Sequence, residues 1–287
     1  MRQTLLLTMF LIGCGTDVMT DTPDANNSGG YQALVSGNWT LQPTSEKYVC
    51  VRKTVDADMY VKAIRPIAPL GTHHTVLMLG PVDAPDGTVD CMASLVKPVI
   101  YASGVGTQPL EMPDGVAIHL KKGDQLLLNL HLFNTDEAPL SGTSGIEFMA
   151  ADPVDAAHSA GVVLAGKMTG LEVDPVTPPN STTQTGACTM SAGMTVFAMA
   201  PHMHLLGSHM KVDYIGTMLM DQDYTFDGQR FNVLAPFVTT AGGKLNVECT
   251  YQNYGSQIVY FGESTTAEMC FAITYAYPAP TVETCTK

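Results

Sequence analysis

Residues 198–207 read AMAPHMHLLG. His202 and His204 sit on either side of one methionine inside an apolar run, and His209 follows shortly after. Read as a strand, the run places residues i and i+2 on one face, so His202 and His204 project side by side. Two imidazoles so placed can share an ion. The strand reading therefore concerns chemistry as well as fold.

Runs of the same kind recur on both sides of it. YVCVRKTV (48–55), HTVLMLG (74–80), QLLLNLHLF (125–133), SGIEFMA (144–150), AGVVLAG (160–166), MTVFAMA (194–200), HMKVDYIG (209–216), KLNVECTYQN (244–253) and EMCFAITYAY (268–277) are all short and strand-like. Gly, Pro, Asp and Asn punctuate them, as in DAPDGTVD, EMPDG and TTAGGK. Few segments carry helical periodicity, and no repeat of fixed period is visible. Many short strands at this spacing predict an all-β protein of the sandwich or jelly-roll type. AADPVDAAHSA (150–160) is loop-like and marks the expected seam between two halves, 31–154 and 155–287. VDPVTPPNSTTQTG (173–186) is read as a loop within the second half.

The chain has 287 residues, 45% of them apolar, enough to build a core. Its formal net charge of −13 repels phosphate backbones and excludes nucleic acid as a natural partner. The first 14 residues, MRQTLLLTMFLIGC, place Arg2 before an apolar run from Leu5 to Ile12. That run is too short to span a bilayer and suits a signal-peptide core. Leu11-Ile12-Gly13-Cys14 resembles the lipobox of bacterial lipoproteins, in which the cysteine is lipidated; a plain secretory signal with a chance cysteine is the alternative. Residues 15–30 are polar and read as a flexible linker. The expected setting is the bacterial cell envelope, with the lipid anchor as the only membrane contact. Beyond Cys14 there are six cysteines, an even number that suggests disulfides in an exported protein. None forms a Cys-x-x-Cys pair, and the spacing does not choose among the pairings.

Among eight histidines, the grouping matters more than the number. His73 and His74 stand at a strand start, where neighbours normally point to opposite faces. Both can reach one ion only if the pleat is broken by a bulge or by the strand end. His131 shares a face with Asn129 and Leu127, and an imidazole on a mostly apolar face costs free energy unless something satisfies it. His73, His74 and His131 thus form a candidate three-imidazole set. His202 and His204 form a second set, with Met269 as a candidate partner. A thioether is a poor ligand for Zn²⁺ or Mg²⁺ and a good one for Cu(I). A cupin motif would usually place a Glu shortly after the histidine pair, and HMHLLGSHMK has none.

The order His-His, strand His, His-x-His, Glu-Met-Cys resembles the copper type II ascorbate-dependent monooxygenases, the family of the peptidylglycine α-hydroxylating and dopamine β-monooxygenases. The matching stretches are THHTVLMLG, LNLHLF, VFAMAPHMHLLG, STTAEMC and the terminal TCTK, so the resemblance runs from about Tyr31 onward. It implies two tandem jelly-roll β-sandwich domains, 31–154 and 155–287, each presenting one copper to a solvent-filled cleft. His73, His74 and His131 would hold an electron-transfer copper; His202, His204 and Met269 would hold the copper that binds oxygen. Two copper ions, O₂, an ascorbate-like reductant and a small-molecule substrate are the implied cofactors and partners, and C–H hydroxylation the implied reaction. The resemblance also implies the pairings Cys50–Cys91, Cys188–Cys285 and Cys249–Cys270. The second would close a loop of about 100 residues, for about 4–5 kcal/mol in the chain-entropy model.

The chain departs from the family in places. Its peptide-processing members bind the substrate carboxylate with an arginine two residues before His-x-His, and with an asparagine and a tyrosine after Glu-Met-Cys. Here those positions are Ala200, Phe271 and Ile273. Losing the bidentate arginine removes the carboxylate anchor. With Met199, these residues make an apolar pocket suited to a small hydrophobic or aromatic substrate. Asn129 stands where the family often has Gln, and the extra cysteine pair usual after the His-His strand is missing. His119, His158 and His209 are read as structural or surface residues. Fold does not dictate function. A non-catalytic copper-binding or copper-delivery lipoprotein is the second reading, and a surface module with vestigial sites the third.

Overall fold

Alternation of buried and exposed side chains organises the strands. Gln32–Leu41 alternates along its second half, with Trp39 and Leu41 turned inward. Asp124–Asn134 is buried along almost its whole length, as a strand covered on both faces must be. The computed structural model describes residues 30–92, 97–104, 106–280 and 284–286. The expected signal segment with Cys14, and the linker apart from Gly30, lie outside the described residues. The protein is all-β: apart from one 3-10 turn at Pro153–Asp155, every regular element among those residues is a strand. No helix among them is long and apolar enough to cross a membrane.

Two sheets come from the first part of the chain. One runs in the order Gln32–Leu41, Leu140–Ala150, Met59–Ile67, Val116–Leu120, His158–Ser159. The other runs Gly87–Asp90, Ser45–Thr54, Asp124–Asn134, Thr72–Pro81, Val99–Gly104. Gln32–Leu41 and Leu140–Ala150 of the first lie against Ser45–Thr54 and Asp124–Asn134 of the second. Two further large sheets follow: Asn232–Val238, Thr195–His202, Cys270–Tyr277, Gly161–Lys167, Thr284–Thr286; and Thr182–Thr189, Lys244–Tyr251, Gly207–Tyr214, Thr217–Asp223. They meet backbone to backbone: a Cβ on Gly186 would lie 2.1 Å from the Gly166 carbonyl oxygen, so only glycine fits there. Pairing passes from the first two sheets to the later ones between Ala150 and Gly161. Tyr31–Lys287 clusters as one compact unit. Its larger apolar cluster runs without a break from Leu128, Leu130 and Ile146 into Leu164, Phe197, Phe271 and Tyr275.

The nine runs read as strands all carry strands. The segment 173–186, read as loop, does not stay one: Thr182–Thr189 begins inside it and pairs with Lys244–Tyr251. TTQTGACT lacks apolar alternation because its inward positions carry Thr182, Gln184, Gly186 and Cys188 in place of large aliphatic side chains, while β-branched threonines suit its exposed face. Three disulfides, Cys50–Cys91, Cys188–Cys285 and Cys249–Cys270, join the pairs that the family resemblance implied.

Candidate functional site

The first histidine set is assembled by a break in register. Thr72–Pro81 pairs with Asp124–Asn134 so that Thr72 faces Leu132 and His74 faces His131, leaving His73 as the inserted residue. That bulge lets His73 and His74 turn to one side together. The Nδ1 atoms of His73, His74 and His131 then converge, at 3.1 Å (His73–His74), 3.2 Å (His73–His131) and 3.3 Å (His74–His131). Nitrogens at that spacing suit a common ion about 2 Å from each, with angles of roughly 100–110°. Protonation states favour this. His131 Nε2 faces a carboxylate oxygen of Glu46 at 2.5 Å; the carboxylate can only accept, so Nε2 donates and Nδ1 keeps its lone pair. Tyr48 stacks on the same ring at 4.3 Å. Burial holds the His73 pKa down at about 4 and the His131 pKa at about 3, and pushes His74 well below the ordinary value. Three neutral imidazoles thus aim at one point, while the buried Nε2 of His73 has no hydrogen-bond partner among the described residues. A cation between them would satisfy all three lone pairs at once.

In the second set, the strand ends at His202 and His204 lies in the turn just beyond it. The strand reading of the pair is corrected to this extent. The two rings still approach edge to face, with centroids 5.4 Å apart. Glu268 holds the turn. Its buried carboxylate accepts from the backbone N–H groups of His204 (2.9 Å), Leu206 (2.7 Å) and Met269 (3.3 Å). Burial raises its pKa to about 7 against the pull of those three donors. Glu268, 64 residues from His204, holds the backbone of the turn and is no counterpart of a cupin glutamate. Met269 is buried beside it: Tyr251 Oη donates to its carbonyl at 2.8 Å, and the Cys249–Cys270 bridge clamps its neighbour.

Hydrogen bonds also decide which nitrogens the second pair offers. His204 Nδ1 lies 3.0 Å from the Ala267 carbonyl, so it donates there. His202 Nδ1 lies 2.7 Å from Gln229 Oε1. Both rings therefore keep their lone pairs on Nε2. Burial lowers the pKa of both, that of His204 to about 3, and keeps them neutral near pH 7.

The two sets share one cavity of about 70 Å³, with His74, His202, His204 and Met269 in its wall. His74 and His202 are 6.3 Å apart, centroid to centroid, where the expectation was a solvent-filled cleft between the sets. The remaining wall is mostly apolar, including Val76, Val99, Leu164, Ala200, Phe271 and Ile273. Ala200 and Ile273 face each other across the Thr195–His202 and Cys270–Tyr277 pairing. Met199, expected here, is one residue out of phase and belongs to the other apolar cluster, with Met203 and Met210. Asn129 also lines the cavity, but its amide contacts the sulfurs of Cys50 (3.5 Å) and Cys91 (3.6 Å) and no imidazole. His209 lies outside the site, bonded to Asp221 and Asp223, and His119 stacks on Tyr60. His158 stacks on Tyr277. Sequence reading did not find Glu46, Phe226 or Gln229. They lie on other strands or loops, and no local pattern marks them.

Residues 158–287 match the family described as copper type II ascorbate-dependent monooxygenase, C-terminal domain. The chain is 27% identical over 208 residues to a tyramine beta-hydroxylase of Caenorhabditis briggsae, covering 65% of this chain and 35% of that protein. It is 25% identical over 259 residues to peptidyl-glycine alpha-amidating monooxygenase A of Xenopus laevis, covering 80% and 26%. To the putative DBH-like monooxygenase protein 2 of Homo sapiens it is 28% identical over 228 residues, covering 70% and 45%. The chain thus spans less than half the length of each of these relatives.

Proposed function

We propose, from the match of residues 158–287 to the C-terminal domain of the copper type II ascorbate-dependent monooxygenases, that the chain is a member of that family and hydroxylates a C–H bond of a small apolar or aromatic substrate. O₂ and an ascorbate-like reductant are the co-substrates. His73, His74 and His131 would hold one copper through Nδ1; His202 and His204 through Nε2, with the Met269 sulfur, would hold a second. Bound there, copper supplies one-electron redox chemistry and the activation of oxygen. In this reading the two pairs of sheets are the family's two jelly-roll domains, 31–154 and 155–287. Three disulfides agree with an exported, oxidising setting.

The observation that carries the reading is the donor chemistry around one cavity. Three converging Nδ1 atoms and a soft thioether are a donor set suited to copper. The chain's own residues do the rest. Glu46, Gln229 and the Ala267 carbonyl fix which ring nitrogens are free. Val76, Leu164, Phe271 and Ile273 keep bulk water away from a reacting C–H bond. Ala200 stands where a carboxylate anchor would have to be, so the wall favours neutral substrates.

The test is to load the protein with copper, supply ascorbate and O₂, and screen neutral and carboxylate-bearing aromatics for products heavier by one oxygen atom. Hydroxylation of the neutral set is expected. A preference for the carboxylates would defeat the substrate assignment. Tight binding of copper with no product from any compound would favour a copper-holding lipoprotein instead.

A further inference from the structure

The loop from Tyr224 to Phe231, between the strands Thr217–Asp223 and Asn232–Val238, reaches both histidine sets. Its Phe226 ring stacks on His73 at 3.9 Å. Its Gln229 is buried and bonds His202. The same loop is fastened to the first part of the chain: Thr107 Oγ1 donates to the Gln229 carbonyl at 2.8 Å and accepts from the Gly104 N–H at 2.9 Å. The glutamine side chain also packs over Gly104, where an added Cβ would come within 3.1 Å of it.

The amide orientation of Gln229 follows from its second bond. Its Nε2 donates to the Phe226 carbonyl at 3.1 Å, and a carbonyl cannot donate in return. Oε1 must therefore face His202, which must give its proton from Nδ1 and leave Nε2 bare. We propose that Gln229 is a positioning residue: it sets the tautomer and aim of His202, and it does so only while the 224–231 loop is seated on Thr107. Loop seating and readiness of His202 are then one variable, so opening the loop to admit a substrate would also release the imidazole. This rests on the reading of His202 as a metal ligand for its functional meaning, but not for its geometry.

The test uses the whole chain with histidine nitrogens labelled, first free of metal. Long-range proton–nitrogen spectra should show His202, identified by loss of its signals in His202→Ala, as the Nδ1-protonated tautomer. Gln229→Glu keeps an acceptor and should preserve that state. Gln229→Leu should yield mixed tautomers, and Thr107→Val should do the same in part while speeding amide exchange of residues 225–230. Copper titration then follows. Gln229→Leu should weaken one of the two sites roughly 10–100-fold and spare the other. A wild-type His202 protonated on Nε2, or an unchanged tautomer in Gln229→Leu, overturns the proposal. A tautomer controlled by Gln229 in a protein that takes no copper at His202 supports the positioning role and sinks the metal reading alone.

Discussion

The rings of His74 and His202 meet edge to face, 6.3 Å apart and at 89°. They belong to different sheets, and neither strand pairs with the other. What joins them is the packing of the Thr195–His202 sheet against the Thr72–Pro81 sheet, with one apolar cavity between. Any two ions held by these sets would border a single, mostly apolar cavity, where electrostatic interactions are stronger than in bulk water.

Met269→Leu separates chemistry from packing. The swap conserves volume and should cost under about 1.5 kcal/mol of stability. The backbone stays held by Tyr251 and the Cys249–Cys270 bridge. X-ray absorption of the Cu(I)-loaded variant should lack sulfur scattering, and hydroxylation should be lost. Sulfur scattering that persists would remove Met269 from the ligand set.

Glu46 makes its strongest contact with His131 Nε2. Glu46→Leu leaves that N–H without an acceptor and frees the ring to choose the other tautomer. In a His202→Ala background, which isolates the first set, copper affinity should fall roughly 10–100-fold. Glu46→Gln, which can still accept, should fall between that and wild type. Equal affinity in all three proteins would show that the carboxylate does not set the tautomer.

Glu268→Gln confronts at least one of three inward-facing backbone N–H groups with an amide NH₂. Leaving a buried donor unsatisfied costs about 1–3 kcal/mol. The loss, read as a lower thermal midpoint, should be larger near pH 5, where the native carboxyl is still protonated, and smaller above pH 7, because a pKa raised to about 7 means that ionisation itself costs the native state stability. Equal losses at pH 5 and pH 8 would count against this account.

Metal-free protein should lose stability in acid well before ordinary carboxylates titrate. The folded-state pKa values of His73, His131 and His204 lie at about 4, 3 and 3, and those of His74 and His202 are also lowered. The unfolded chain binds these protons below about 6.5 and the native state does not. The sign is therefore a stability fully present above pH 6.5 and lost as pH falls toward 3–4. Each histidine that stays neutral contributes about tenfold in the folding constant per pH unit across that window. Glu268, with its pKa raised to about 7, works in the opposite direction between its ordinary value and 7, but one group is set against five. Denaturant midpoints measured from pH 8 to pH 4 on chelated protein would check this, and a flat profile would contradict it.

Strands, ligand types and their order could be read before any coordinates, because these are local properties. A period of two along AMAPHMHLLG or QLLLNLHLF is written into consecutive residues, and the demand that His73 and His74 break the pleat follows from adjacency alone. The bulge at His73 met that demand. The misplacement of Met199 ran against that same period, which puts Ala200 on the face of His202 and Met199 on the opposite one, where it packs with Met203 and Met210. Nothing local could reveal that Glu46 reaches His131 across 85 positions, Glu268 reaches His204 across 64, or Gln229 reaches His202 across 27. Such partners are chosen by sheet packing and by where loops fold back. A hydrogen-bond acceptor leaves no periodic trace in the chain, so the protonation pattern of the site is a property of the tertiary structure alone.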